Sequence, residues 1–130
     1  MLMWSHTYWV SGIRYSILVW WNAILGEGEN LADFVIKNSD GVNIMAYREQ
    51  GSVIVEIVKN KLAYGAKSGK RVIVGVETNK SSEVETVSFY EEGKIYMNKQ
   101  LEIVKRKLGS KGAFICFVIH DYNERKSLRP

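Results

Sequence analysis

Seven side chains able to do chemistry fall at the polar ends of apolar runs in this chain: Trp21, Asn22, Arg48, Glu49, Glu77, His120 and Tyr122. A carboxylate such as Glu77 can act as a nucleophile or proton carrier when a second carboxylate is placed to work with it, and Glu49 and Asp121 are the others at comparable positions. The imidazole of His120 can serve as an acid or base, or as a hydrogen-bonding partner that fixes a neighbour. Arg48 offers a planar fork for an anion or for sugar hydroxyls. Trp20, Trp21 and Tyr122 offer aromatic faces on which a sugar ring can stack, with core packing as the plainer use. A plainer use of Arg48 and Glu77 is also open, a salt bridge between neighbouring strands. No metal-ligand spacing occurs. Gly26-Glu-Gly-Glu-Asn-Leu31 is no dinucleotide loop, because its third glycine is missing and its two acids repel a pyrophosphate. Neither a metal nor a cofactor is expected.

These residues matter together only if the chain brings them to one rim. Four apolar runs end in them: Arg14-Tyr-Ser-Ile-Leu-Val-Trp-Trp-Asn22, Val42-Asn-Ile-Met-Ala-Tyr-Arg-Glu49, Arg71-Val-Ile-Val-Gly-Val-Glu-Thr78 and Ala113-Phe-Ile-Cys-Phe-Val-Ile-His-Asp-Tyr122. Helical patterns separate the runs. Asn30 is placed to cap a short helix carrying Leu31, Phe34 and Val35. Ile54, Ile57, Val58 and Leu62 form one stripe behind a possible cap at Ser52, and Ser68-Gly69 stops it. Ser88 and Glu91 fit a capping box before the Met97, Leu101, Val104, Leu108 stripe, with Glu102–Arg106 as an outward i, i+4 pair and Gly109 as C-cap. The order β-α-β-α-β-α-β predicts an α/β fold of four parallel strands with alternating helices, whose C-terminal strand ends gather function. Gly75 inside the third run predicts a close approach, such as a side chain from across a barrel interior. Residues 1–14 read as an irregular, aromatic-rich lead, and 15–130 as the domain.

The chain has 130 residues, 46% hydrophobic and 25% charged, which suits one globular domain. Charged or polar residues interrupt every apolar run well short of the roughly 20 residues that a membrane helix needs. The start lacks a basic then apolar leader, so a cytoplasmic location is the default expectation. Cys116 has no partner for an internal disulfide and reads as a buried, inert thiol. Of the +4 net charge, much lies in Lys94, Lys99, Lys105, Arg106, Lys107 and Lys111. These read as a solvated helix face rather than a nucleic-acid patch, since no aromatics alternate with them.

The runs Val42–Arg48 and Val72–Thr78, together with Val87-Ser-Phe-Tyr-Glu-Glu-Gly93 and Phe117-Val-Ile-His-Asp-Tyr122, resemble the C-terminal half of a bacterial glycoside-hydrolase-like TIM-barrel protein. The resemblance spans about Tyr15 to Leu128. It implies a (β/α)8-barrel-like half barrel, with the four strands as barrel strands five to eight. It matches Glu77 to the nucleophilic glutamate at the end of strand seven. The acid/base glutamate of such enzymes sits at the end of strand four, which this chain does not contain. A retaining pair needs carboxyl groups about 5 Å apart, an inverting pair about 6.5–9.5 Å. The expected site is therefore Glu77 and His120 as catalytic groups, with Arg48, Trp21, Tyr122 and Asn22 holding a carbohydrate or other small polar ligand. Hydrolysis is expected only if a partner or a missing N-terminal half completes the barrel. The exposed edges of such a half predict a homo-oligomer or pairing with that half. A non-catalytic binding or structural module with an open parallel sheet is the alternative.

Overall fold

The structure, a computed structural model, describes residues 7–10, 13–18, 24, 26, 28–82, 84–110, 112–120 and 122–130. Its elements are β1 (Thr7–Val10), β2 (Ile13–Leu18), α1 (Leu31–Lys37), β3 (Gly41–Met45), α2 (Gly51–Ser68), β4 (Arg71–Glu77), α3 (Lys94–Leu108), β5 (Phe114–His120) and α4 (Tyr122–Ser127), with a short 3-10 turn at Glu85–Val87. The sheet order is β1-β2-β3-β4-β5. β1 runs antiparallel to β2, whereas β2–β3, β3–β4 and β4–β5 pair parallel. This is an α/β protein with an open parallel sheet whose strands alternate with helices.

Chain order equals spatial order from β2 to β5. Parallel crossovers are right-handed, so crossovers that all advance in one direction put their helices on one face of the sheet. The packing agrees: α1 lies against α2 and α2 against α3. Leu31 and Ile36 of α1, Ile54, Val58 and Leu62 of α2, and Met97, Val104 and Leu108 of α3 share one core with Val42, Ile44, Val72, Val74 and Val76. Side chains alternate along a strand. Asn43, Met45, Ile73, Gly75 and Glu77 therefore belong to the other face, which carries none of α1, α2 and α3 and is the helix-free face among the described residues.

The helix ends show how the local chemistry works. Asn30 caps α1, its Oδ1 accepting from the amides of Ala32 (2.8 Å) and Asp33 (3.3 Å). Ile36 rather than Phe34 completes the buried side of α1, and Phe34 is exposed. α2 begins one residue before Ser52, and its Gly51 amide is satisfied from α3 by Gln100 Oε1 at 2.9 Å. Gly69 ends α2 in the left-handed conformation at φ 65°. The expected capping box is corrected. α3 starts at Lys94 behind Gly93 at φ 87°, a conformation no helix continues through, and Ser88 instead shapes the preceding turn by accepting from the Tyr90 amide at 3.1 Å. Arg106 Nε reaches the Glu102 carbonyl (3.4 Å) rather than its carboxylate, which lies nearest Lys105 at 4.0 Å.

The lead read as irregular contains a strand at Thr7–Val10. Thr, Tyr, Trp and Val all favour strands, and pairing with β2 supplies the order that a four-residue stretch cannot show in sequence. Gly75 does have a close neighbour, but it comes from the adjacent strand and not from across an interior: a Cβ there would lie 2.9 Å from Asn43 Oδ1. Cys116 is exposed, not buried, because β5 ends the sheet. Among the described residues, no helix is long and apolar enough to cross a membrane.

Candidate functional site

Glu77 and His120 close β4 and β5 directly opposite each other in the parallel register. Both belong to the helix-free face, like Gly75 and its partner Val118. Glu77 Oε2 lies 2.6 Å from His120 Nδ1. Glu77 Oε1 accepts the amides of Thr78 and Asn79, each at 2.8 Å. A carboxylate accepts, so a neutral imidazole facing it carries its proton on Nδ1 and its lone pair on Nε2. The carboxylate is sheltered, at 12% side-chain exposure, and the imidazole reaches out, at 57%. The pair is therefore built as a buried anchor holding an accessible ring.

The chain after β4 locks this arrangement. Thr78 is fully buried, and its hydroxyl donates to the His120 carbonyl at 3.2 Å, tying the two strand ends together. Ser88 Oγ (3.3 Å) and the Phe89 amide (3.0 Å) both donate to the Glu77 carbonyl. The Phe89 ring is fully buried and anchors that returning segment in the core. At the exit of β3, Tyr47 stacks on the His120 ring, with centroids 6.1 Å apart and planes 24° from parallel. Burial, and then the Glu77 charge, push the Tyr47 phenol up to about 12. It therefore stays a protonated donor beside the imidazole.

Of the expected site residues, Glu77 and His120 come together. Arg48 lies one residue past Tyr47, and its Nη1 donates to the Tyr47 carbonyl at 2.6 Å. Among the described residues, the carboxylate of Glu77 pairs with His120 and not with the expected guanidinium. Tyr122 opens α4 two residues beyond His120. Trp21 and Asn22 lie outside the described residues. Glu49 belongs to a separate acidic group. Its amide donates to the Thr86 carbonyl at 3.0 Å, and burial followed by the charges of Glu92 and Glu85 raises its carboxyl above the usual range. Among the described residues, no cluster of three His, Cys, Asp or Glu side chains is arranged to hold a metal ion.

Tyr47 and Thr78 were missed in the sequence. Tyr47 was visible in principle, since steps of two from Asn43 through Met45 place it on the face of Glu77. Thr78 acts through a hydroxyl bond to a residue 42 positions away, which leaves no local pattern. Comparison with protein-family models, with curated proteins and with solved structures returns no match.

Proposed function

We propose that the chain binds a small polar ligand at the C-terminal rim of its parallel strands, with His120 as the contacting group and Glu77 as the group that positions it. One observation carries this reading: a sheltered carboxylate, with both oxygens engaged, that holds an exposed imidazole. His120 Nε2 accepts and the Tyr47 hydroxyl donates, a combination that suits a hydroxyl-bearing ligand such as a sugar. A carboxylate so fully hydrogen-bonded is a poor nucleophile, since its lone pairs are already committed. Binding is therefore favoured over hydrolysis by this chain alone.

The helices on one face and the unbroken strand order support a second, wider reading. A doubly wound sheet reverses its order and carries helices on both faces, whereas a barrel segment does neither. On that reading the chain is a TIM-like half barrel, related to glycoside hydrolases, and a partner or further barrel strands supply the second carboxylate.

The test is a titration of isotope-labelled protein with a panel of methyl glycosides, with inorganic phosphate as the anion control. Saturable shifts of the Thr78 and His120 amides are expected with at least one glycoside. Glu77→Gln should weaken that binding about tenfold, the worth of one charge-assisted hydrogen bond. A silent spectrum with the whole panel at millimolar concentration would overturn the reading.

A further inference from the structure

The C-terminal segment returns to the turn that holds Glu77. α3 has no side chain capping its N-terminus, and the Lys94 amide there donates to the Arg129 carbonyl at 2.8 Å. A carbonyl from the tail thus satisfies a donor that a helix start leaves open. Lys94 Nζ donates to the Lys126 carbonyl at 3.1 Å, near the end of α4. Leu128 is buried and joins the shared core, while Ser127, Arg129 and Pro130 are exposed. Gly93 permits the close approach: a Cβ there would lie 2.5 Å from the Pro130 carbonyl and 2.8 Å from that of Arg129. Beside these holds, Tyr90, Glu91, Ser127, Leu128 and Arg129 line a cavity of about 280 Å³. The tail is therefore fastened at a few points rather than packed along its length.

We propose that Leu128–Pro130 is a strap that positions the Glu77–His120 pair, holding it when docked and loosening it when displaced. The contacts form a closed circuit. From His120 the chain enters α4 two residues on, and α4 leads to Leu128 and Arg129. The Arg129 carbonyl holds Lys94, the neighbour of Gly93. The Gly93 amide donates to the Phe89 carbonyl at 3.0 Å, and the Phe89 amide donates to the Glu77 carbonyl at 3.0 Å. Glu77 Oε2 meets His120 Nδ1 at 2.6 Å and closes the circuit. A strap anchored by one buried side chain opens at a lower cost than the whole fold. Displacing it frees the turn behind Glu77 on one side and the chain after His120 on the other. Leu128 and Gly93 are thus positioning residues. The inference deepens the reading of this pair as a ligand site, and its test uses no ligand, so the two can fail separately.

Leu128→Ala removes the anchor. Leu62→Ala, which empties a similarly buried place in α2, is the stability control. Magnetic resonance of the full chain reads the circuit in order. Hydrogen exchange at the Lys94 amide reports docking, exchange at the Phe89 amide reports the hold on Glu77, and the imidazole nitrogen shifts of His120 report the pair. Leu128→Ala should speed exchange at Lys94 and Phe89 about tenfold or more beyond any change in Leu62→Ala. It should also move the His120 nitrogen shifts, which Leu62→Ala should leave in place. Gly93→Ala displaces the tail by collision, without emptying the core. Gly69→Ala is its control, because Gly69 is also left-handed, at φ 65° against 87°, but a Cβ there meets nothing within 4 Å. Gly93→Ala should repeat the changes at Lys94, Phe89 and His120, and Gly69→Ala should produce none of them. A Lys94 amide that exchanges faster in both tail variants while Phe89 and His120 stay unmoved would overturn the proposal. So would His120 shifts that Leu62→Ala moves as far as Leu128→Ala does.

Discussion

Even and odd residues of β4 live in different surroundings. Val72, Val74 and Val76 are wholly buried against the helices. Ile73, Gly75 and Glu77 face away from them; Ile73 and Gly75 are buried there as well, and the strand carries a glycine and an acid within three residues. β3 repeats the contrast, with Val42 and Ile44 wholly buried and Asn43 and Met45 only partly so. One face is specified by volume and the other by particular atoms. The covered face has to exclude water, which any well-fitting aliphatic set can do. The open face has to place an oxygen, a ring nitrogen and a hydroxyl, which few substitutions preserve.

The largest test of that difference is a pair of neighbours. Ile44→Ala on the covered face should cost about 2–5 kcal/mol, because it removes a fully packed side chain and leaves a cavity. Met45→Ala on the open face should cost less than half as much, since Met45 is already partly wet and adaptable. Urea denaturation reads both, and equal losses would break the contrast between the faces.

Two glycines sharpen it. A Cβ on Gly65, in α2 over the covered face, would meet Val72 Cγ2 at 2.7 Å, the Lys70 carbonyl at 3.1 Å and Ala113 Cβ at 3.2 Å. Helix propensity alone would favour alanine there by about 1 kcal/mol, while overpacking costs about 1–3 kcal/mol. Gly65→Ala should therefore be a net loss of about 1 kcal/mol by denaturation. Gly75→Ala, on the open face, meets chiefly the end of the Asn43 side chain, which can swing aside. Its cost should be smaller. The reverse order would mean that the open face is the more tightly packed.

The covered face was legible in the sequence for a plain reason. Its stripes at Ile54, Val58 and Leu62 and at Met97, Val104 and Leu108 follow the helical period, and period is local information. The parallel direction of the strands followed from alternation of elements. The Glu77–His120 pair was legible as a hydrogen bond open to two candidates on neighbouring strand ends. Their bond depends on register, which was not written in either run alone. The Arg48–Glu77 bridge was expected because opposite charges lay on adjacent strands. Two backbone amides and an imidazole took the carboxylate instead, through a turn at Thr78 and Asn79 that no propensity announces. The exposure of Cys116 was missed because an apolar run reads as interior, and nothing in the run says that its strand is the last of the sheet.

On the open face, Glu77→Gln should act through identity of atoms more than through stability. The expected loss is about 1–2 kcal/mol, from weakened bonds to the Thr78 and Asn79 amides. The sharper readout is the tautomer of His120. Glutamine's amide nitrogen can donate to Nδ1, which moves the ring proton to Nε2 and turns the outward edge from acceptor to donor. Nitrogen shifts of the imidazole should report the exchange. An unchanged tautomer would mean that Glu77 does not set the ring.

The smallest effect is the titration of Tyr47, and it separates the two causes acting on this face. Its phenol lies near 12 rather than at the ordinary 10.0, chiefly through burial and secondarily through the Glu77 charge. A folded-state value above the unfolded one gives stability that is whole below pH 10.0 and is lost as pH rises through about 12. Alkaline unfolding should therefore show a loss in that window, and Tyr47→Phe should remove it. In Glu77→Gln the charge is gone and the burial remains, so ultraviolet titration should find the Tyr47 value lowered yet still above 10.0. A fall all the way to the ordinary value would make the carboxylate, and not the packing of Tyr47 beside His120, the dominant influence on the open face.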